Sequence, residues 1–115
     1  MNYNEIFAPY DIASLAKEKG YPQGGQRFAD YVQYDGSQPW LNVFQDSNEE
    51  SDTNFTIEAS APLYWEVIAW LRKNKIRIIE LPTVDKWVIC TQIDGEAKGA
   101  YPLDEAIIKA LNFLP

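Results

Sequence analysis

The sequence contains no histidine and only one cysteine, and these two scarcities exclude several kinds of chemistry. Without histidine, no Ser-His-Asp or Cys-His nucleophilic system can form, and the commonest general base and zinc ligand are missing. Cys90 alone can form neither an internal disulfide nor a thiolate metal site. Because Cys90 alternates with Ile89 and Thr91 in an apolar run, we expect an inert core thiol. The sequence therefore predicts no catalytic residue, no metal ligand and no cofactor.

Targeting and membrane signals are also missing. The first residues lack the basic start and the apolar run of a signal peptide. No apolar segment approaches the roughly 20 residues that are needed to cross a bilayer. Gly24 and Gly25 lack the spacing, the following lysine and the following helix of a phosphate-binding loop. We expect a soluble, cytoplasmic protein with no membrane partner.

Positive charge is scarce, and it is unevenly placed. The net charge is −7 and the isoelectric point is about 4.4, which opposes general attraction to nucleic-acid backbones. Residues 1–59 hold ten acids and three bases, a net −7, whereas residues 60–115 hold seven of each. We favour solubility as the role of this acidic half. An acidic surface for a basic partner protein is the alternative.

The second half of the chain predicts two amphipathic helices and two strands. Apolar side chains recur at helical spacing over residues 62–74 and again over 103–113. Between these segments, β-branched residues dominate 76–81 and 86–93, which is typical of strands. The connection between the two strands is too short for a crossover, so we expect antiparallel pairing. Glycines predict a turn over residues 94–99.

The first half predicts smaller elements. We expect a short peripheral helix over residues 11–19, ended by Gly20. The dipeptide Asp35-Gly36 indicates a hairpin within residues 28–44. Residues 55–59 are a candidate for a further short strand. Together these elements predict an α+β fold.

In that fold, residues 1–115 form one small domain with a mostly antiparallel sheet of roughly three to five strands. The two long helices pack on one face of the sheet. Residues 1–10 are a candidate flexible arm, which Ile6, Phe7 and Tyr10 could dock. Residues 45–54 are interpreted as an acidic surface loop, because their acids lack the ordered spacing of a calcium loop.

One residue does not fit a purely structural interpretation. A turn of about 100° per residue places Trp65 opposite the apolar face of its helix, near Ala69 and Arg72. Exposed tryptophans are enriched at protein interfaces, so Trp65, Ala69 and Arg72 are candidate partner-binding residues. Alternatively, the first half of the chain covers Trp65, since tryptophan is usually largely buried.

Two other functions are kept as alternatives. The basic cluster within residues 72–77, with nearby tryptophans, could bind nucleic acid weakly through charge and stacking. We favour a helix C-terminus with complementary charges instead. A small enzyme based on paired carboxylates is the second alternative, since Asp and Glu suffice for acid–base chemistry.

Three phrases of the sequence resemble a known group of proteins. Residues 12–21 resemble an opening "TAKLLKEKGF" phrase, and Ala61-Pro62 followed by Trp70-Leu71-Arg72 resembles "APT…WLRE". The third phrase, which resembles a "W…Y…YEEAL…AL" ending, consists of Trp87, Tyr101, Glu105-Ala106 and Ala110-Leu111. The chain departs from the pattern at Leu63 and Pro102, where Thr and Ser/Thr are usual.

The group is one of small uncharacterised proteins of phages, prophages and gut bacteria. The resemblance implies no activity and transfers no catalytic residue. We therefore expect a non-catalytic accessory or protein-binding module of mobile-element type. Its partner is another protein or a second copy of itself.

Overall fold

The computed structural model describes residues 6–23, 29–34, 38–43, 55–91 and 97–115. It divides the chain into two units, Met1–Pro62 and Leu63–Pro115. In chain order the elements are α1 (Tyr10–Glu18), β1 (Ala29–Tyr34), β2 (Trp40–Val43), β3 (Phe55–Ser60), α2 (Tyr64–Lys73), β4 (Ile76–Leu81), β5 (Lys86–Thr91), β6 (Ala97–Tyr101) and α3 (Leu103–Leu111). The α+β class and the antiparallel pairing of the strands are confirmed.

The first unit contains a sheet in the order β2-β1-β3, with β1 at its centre. The predicted hairpin is present, because β1 pairs antiparallel with β2 from Ala29↔Val43 to Val32↔Trp40. Helix α1 packs against β3 and buries Ile12, Ala13 and Ala16. The sequence suggested a peripheral helix, and this was wrong, because these three residues form part of the core.

The described part of the N-terminal arm is docked on the same unit. Phe7 and Ala8 are buried, and the Ala8 N–H donates to the Pro62 carbonyl at 2.9 Å. The Tyr31 hydroxyl donates to the Ala8 carbonyl at 2.5 Å. Both backbone groups of Ala8, its N–H and its carbonyl, are thus hydrogen-bonded. Burial would otherwise leave them unpaired.

The second unit contains a sheet in the order β4-β5-β6, with α2 and α3 on one face. Strands β4 and β5 pair antiparallel, with Ile78 opposite Ile89. The core lies between the helices and the sheet and consists of Val67, Leu71, Ile76, Ile78, Ile89, Ala106, Ile107, Ala110 and Leu111. The predicted packing of two amphipathic helices on one sheet face is therefore confirmed.

The ends of α2 lie close to their predicted positions. The helix begins after Leu63, whose N–H donates to the Glu66 side chain at 2.8 Å. At the other end the Asn74 side chain donates to the Trp70 carbonyl at 2.8 Å. Lys75 follows in the left-handed region, at φ +71°, and its N–H donates to the Arg72 carbonyl. This is the helix-ending conformation that glycine usually adopts.

Two features differ from the prediction. Residues 97–101, most of which were predicted as a turn, form strand β6, which pairs with β5. The strands also form two three-stranded sheets and not one, since β3 pairs with β1 and not with β4. The predicted turn at Asp94-Gly95, the hairpin turn at Asp35-Gly36 and the loop over 45–54 lie outside the described residues. The single-domain assignment stays a prediction.

Gly99 lies where the pairing of β5 and β6 shifts register, and the backbone there favours glycine over any residue with a Cβ atom. Its φ is +108°, and a Cβ atom there would lie 2.5 Å from the Tyr101 hydroxyl oxygen and 2.7 Å from Cζ. Moving the Tyr101 ring away would disturb its contact with the Lys109 ammonium, which lies 4.8 Å from the ring centroid. Gly20 has a similar φ, +100°, but a Cβ atom added there would have no neighbour within 4 Å.

We therefore expect Gly99→Ala to destabilise the protein by about 2 kcal/mol or more, because it adds a collision to backbone strain. Gly20→Ala is the matched control and should cost only about 1 kcal/mol, the strain alone. Equilibrium denaturation of the two variants measures the difference. Equal losses of unfolding free energy would contradict the assigned role of the Tyr101 ring.

Candidate functional site

The exposed side of α2 carries the three residues that the sequence singled out. Trp65 is 64% exposed, and Ala69 and Arg72 are also exposed. Their spacing of four and three residues places them on one side of the helix. We call Trp65, Ala69 and Arg72 the α2 stripe. It lies opposite Val67 and Leu71, which are both fully buried.

The α2 stripe is held on a well-anchored helix. Near its start, the Tyr64 hydroxyl donates to Asp104 of α3 at 2.7 Å. Glu66, the acid nearest to Trp65 in sequence, is held by the Leu63 N–H. Exposed Arg72 and Lys73 occupy the last turn, where the helix dipole favours positive charge. The stripe therefore combines an exposed aromatic ring with a cationic end.

The basic cluster of residues 72–77 is divided between different surfaces. Arg72 lies on α2, whereas Arg77 lies on β4 between the buried Ile76 and Ile78. Because side chains alternate along a strand, Arg77 is on the sheet face opposite the helices. The cluster thus does not form one continuous track of positive charge along α2 and β4.

Cys90 lies on that same opposite face. It pairs with Arg77 across the sheet and is a half-buried free thiol. The expectation of a core thiol was therefore wrong, because the buried residues of β5 are Ile89 and Thr91 and not Cys90. The apolar composition of the run did not indicate which of its two faces the helices cover.

Acidic side chains of the described residues do not gather into a metal-binding cluster. No group of three or more His, Cys, Asp or Glu side chains that could hold a metal ion is found among those residues. Asp30 is a buried carboxylate, 1% exposed, and lies in register with Asn42 and Ser60 on the neighbouring strands. The Ser60 N–H donates to the Gln23 side chain at 2.8 Å. Among the described residues, no buried side-chain nitrogen or oxygen lacks a hydrogen-bond partner.

The comparisons with known proteins add no identity to this picture. No protein-family model matches the chain, and neither does any curated protein or any solved structure. Within the described residues, no helix has the length and apolar character needed to cross a membrane. The resemblance to mobile-element proteins therefore stays a prediction.

The hydroxyl of Tyr31 has a raised pKa, which the sequence did not indicate. It is 6% exposed, its hydroxyl donates to Ala8, and its ring meets that of Tyr10 edge-on at 5.5 Å. Burial, together with the negative charge of Asp11, raises the pKa of Tyr31 from 10.0 to about 12. The hydroxyl therefore acts as a structural donor to the docked N-terminal segment.

This shift predicts a loss of stability at alkaline pH. The folded pKa lies above the unfolded one, so the contribution of Tyr31 is complete below about pH 10 and is lost as the pH rises to about 12. The loss should be roughly 2 kcal/mol. Denaturant unfolding across this range should show a shallower decline for Tyr31→Phe than for the wild type. The control Tyr64→Phe removes a hydroxyl from the second unit and should retain the decline. A full decline in Tyr31→Phe would contradict the assignment.

Proposed function

We propose that this chain is a non-catalytic protein-binding module of mobile-element type, and that it acts in the cytoplasm through the α2 stripe. The observation that carries the proposal is the exposure of Trp65, which is 64% accessible on a helix whose opposite side is fully buried. The partner is a protein with an apolar pocket for the tryptophan ring and carboxylates at the pocket's edge.

The composition of the stripe supports this choice of partner. Trp65 offers a large apolar area, and full burial of such a side chain contributes roughly 2–3 kcal/mol. Ala69, one turn along, is small and lets a partner surface approach the helix closely. Arg72 adds positive charge at the rim, where charge complementarity steers association and suppresses wrong partners. This pattern of aromatic centre and charged rim is typical of protein interfaces.

Other classes of function have less support. The net charge of −7 opposes binding to a phosphate backbone, and Arg77 lies on the sheet face away from α2. A catalytic role would be supported by an orphaned buried polar group, and the described residues contain none. The lone cysteine fits a reducing compartment.

The experiment begins with affinity capture from a host-cell lysate, using the wild type, Trp65→Ala and Val84→Ala as baits. Val84 is the matched control, because it is 56% exposed on the turn between β4 and β5. A protein retained by the wild type and by Val84→Ala, but not by Trp65→Ala, is then purified and titrated. We expect Trp65→Ala to weaken binding at least about 30-fold, the equivalent of roughly 2 kcal/mol. Its unfolding free energy should change by less than about 0.5 kcal/mol, since the side chain is exposed.

The charge of the rim is tested with a second matched pair. Arg72→Gln should weaken binding by roughly three- to ten-fold and reduce its salt dependence, because the arginine faces carboxylates. Arg77→Gln removes the same charge from the other sheet face and should have no effect. The proposal fails if Trp65→Ala binds like the wild type or unfolds the protein. Salt-sensitive binding of oligonucleotides that depends on Arg72 would support the nucleic-acid alternative instead.

A further inference from the structure

Strand β4 lies at an edge of the second sheet, and its backbone is regular along its whole length. All of its residues, Ile76–Leu81, pair antiparallel with β5 without a register shift. The strand contains neither proline nor glycine, and none of its residues has a positive φ. Apart from the turn bond from the Val84 N–H to the Leu81 carbonyl, these residues make no hydrogen bond outside the β4–β5 ladder within the described part of the chain. The open side of β4 therefore offers backbone groups to a further strand.

The edge formed by β3 is closed to such a strand. The Lys17 ammonium donates to the Glu58 carbonyl at 2.7 Å. The Ser60 N–H donates to the Gln23 side chain at 2.8 Å. The pairing of β3 with β1 also shifts register next to Glu58. Covered backbone groups and bulges are two of the ways in which proteins prevent pairing at a sheet edge.

The other two edges are also unsuited to a further strand. Strand β2 has only four residues and directly follows Pro39. Strand β6 shifts register against β5 and contains Gly99 at φ +108°. Short strands, nearby prolines and bulges all discourage edge pairing. Of the four sheet edges that the structure describes, β4 alone lacks such a feature.

The side chains of β4 do not oppose pairing with a strand of the same sequence. Ile79 and Leu81 are 43% and 37% exposed, so a neighbouring strand would cover apolar surface. Arg77 and Glu80 are both exposed and carry opposite charges. Because side chains alternate along a strand, these two charges lie on opposite faces of the sheet. The strand therefore has no net charge that would repel a second copy.

We infer that β4 pairs antiparallel with β4 of a second copy of this chain, which joins their second sheets into one continuous sheet. A two-fold axis makes the contact identical for both copies. With Ile78 opposite Ile78 of the second copy, Arg77 lies opposite Ile79 and Glu80 lies opposite Ile76. This register avoids like charges directly opposite each other, which would destabilise the pair.

Helix α2 supplies charge complementarity for a second copy. It packs on β4, whereas α3 packs mainly on β5, so α2 lies over the β4 edge. The bond between Tyr64 and Asp104 marks the side of α2 that faces α3. Glu66 and Lys73 lie about 180–200° around the helix from Tyr64, on the side toward the open edge. Because the two-fold axis makes the two α2 helices antiparallel, Glu66 of each copy approaches Lys73 of the other. This reciprocal match favours a second copy over an unrelated strand.

The first test is sedimentation velocity of the 115-residue chain between about 1 µM and 1 mM. We expect a dimer with a Kd of roughly 1–100 µM, because one strand edge and one helix side make a small interface. Amide hydrogen exchange should slow in β4 as the protein concentration rises, and should not change in β3. A chain that stays monomeric would overturn the inference and leave the edge to a strand of another protein. A dimer without protection of β4 would also overturn it.

The register is tested with a pair of variants at one position. In Ile79→Lys and Ile79→Glu, the new charge lies opposite Arg77 of the second copy, twice in each dimer. Ile79→Lys should weaken dimerisation at least about 30-fold, and Ile79→Glu should dimerise at least about ten-fold more tightly than Ile79→Lys. Val84→Lys is the matched control, since it adds the same charge to an exposed turn residue and should dimerise as the wild type does. Equal dimerisation of the two Ile79 variants would overturn the inference.

A helix variant keeps the test usable if Ile79→Lys fails to fold. Lys73 is exposed, so Lys73→Glu should retain the fold. It faces Glu66 of the second copy with a like charge and should weaken dimerisation roughly three- to ten-fold. Wild-type dimerisation of Lys73→Glu would overturn the inference.

The dimer and the proposed partner surface are separable. Trp65 is not part of the β4 edge, so Trp65→Ala should dimerise as the wild type does. A dimer that Trp65→Ala abolishes would be held by the α2 stripe, and this result would overturn the pairing through β4. Loss of a different protein partner from Trp65→Ala, with dimerisation intact, supports both assignments.

Discussion

The second unit depends on the covering of one sheet face by two helices. A three-stranded sheet is stable in water only when its apolar face is buried, and α2 and α3 bury that of β4 and β5. Val67 and Ile107 are both fully buried, as the periodicity of the two helices requires. Once Val67 and Leu71 face the sheet, the helical twist leaves Trp65 and Ala69 no position except the solvent side.

The same constraint separates residues that are close in sequence. Arg72 and Arg77 are five residues apart, but the chain changes between them from a helical to a strand period. The first arginine lies on the exposed side of α2, and the second lies on the sheet face opposite the two helices. Basic residues that are close in sequence therefore do not predict a basic surface until it is known which sheet face the helices cover. The half-buried Cys90 shows the same point, because its apolar neighbours did not reveal its face.

Sequence periodicity predicted α2, α3, β4 and β5 to within about two residues, because each buries a regular stripe of side chains. Strand β6 was missed, since Ala97, Lys98 and Gly99 have poor strand propensity and are in the strand only because β5 offers a pairing edge. The division into two sheets was also missed, because a strand's own sequence does not specify its neighbour. The α2 stripe could be predicted, because its three residues belong to one helix and the helical period alone places them on one side.

The exposure of Trp65 has a further physical consequence. A residue that is 64% exposed contributes little to the folded core, so the fold gives no reason for a tryptophan at this position. Val67 and Leu71 carry the packing of the helix, and Glu66 and Asn74 satisfy backbone groups at its ends. The stabilising and the exposed side chains of α2 are thus different residues on opposite sides of the helix. Changes on the exposed side should therefore combine additively with changes in the core, which makes a loss of binding separable from a loss of folding.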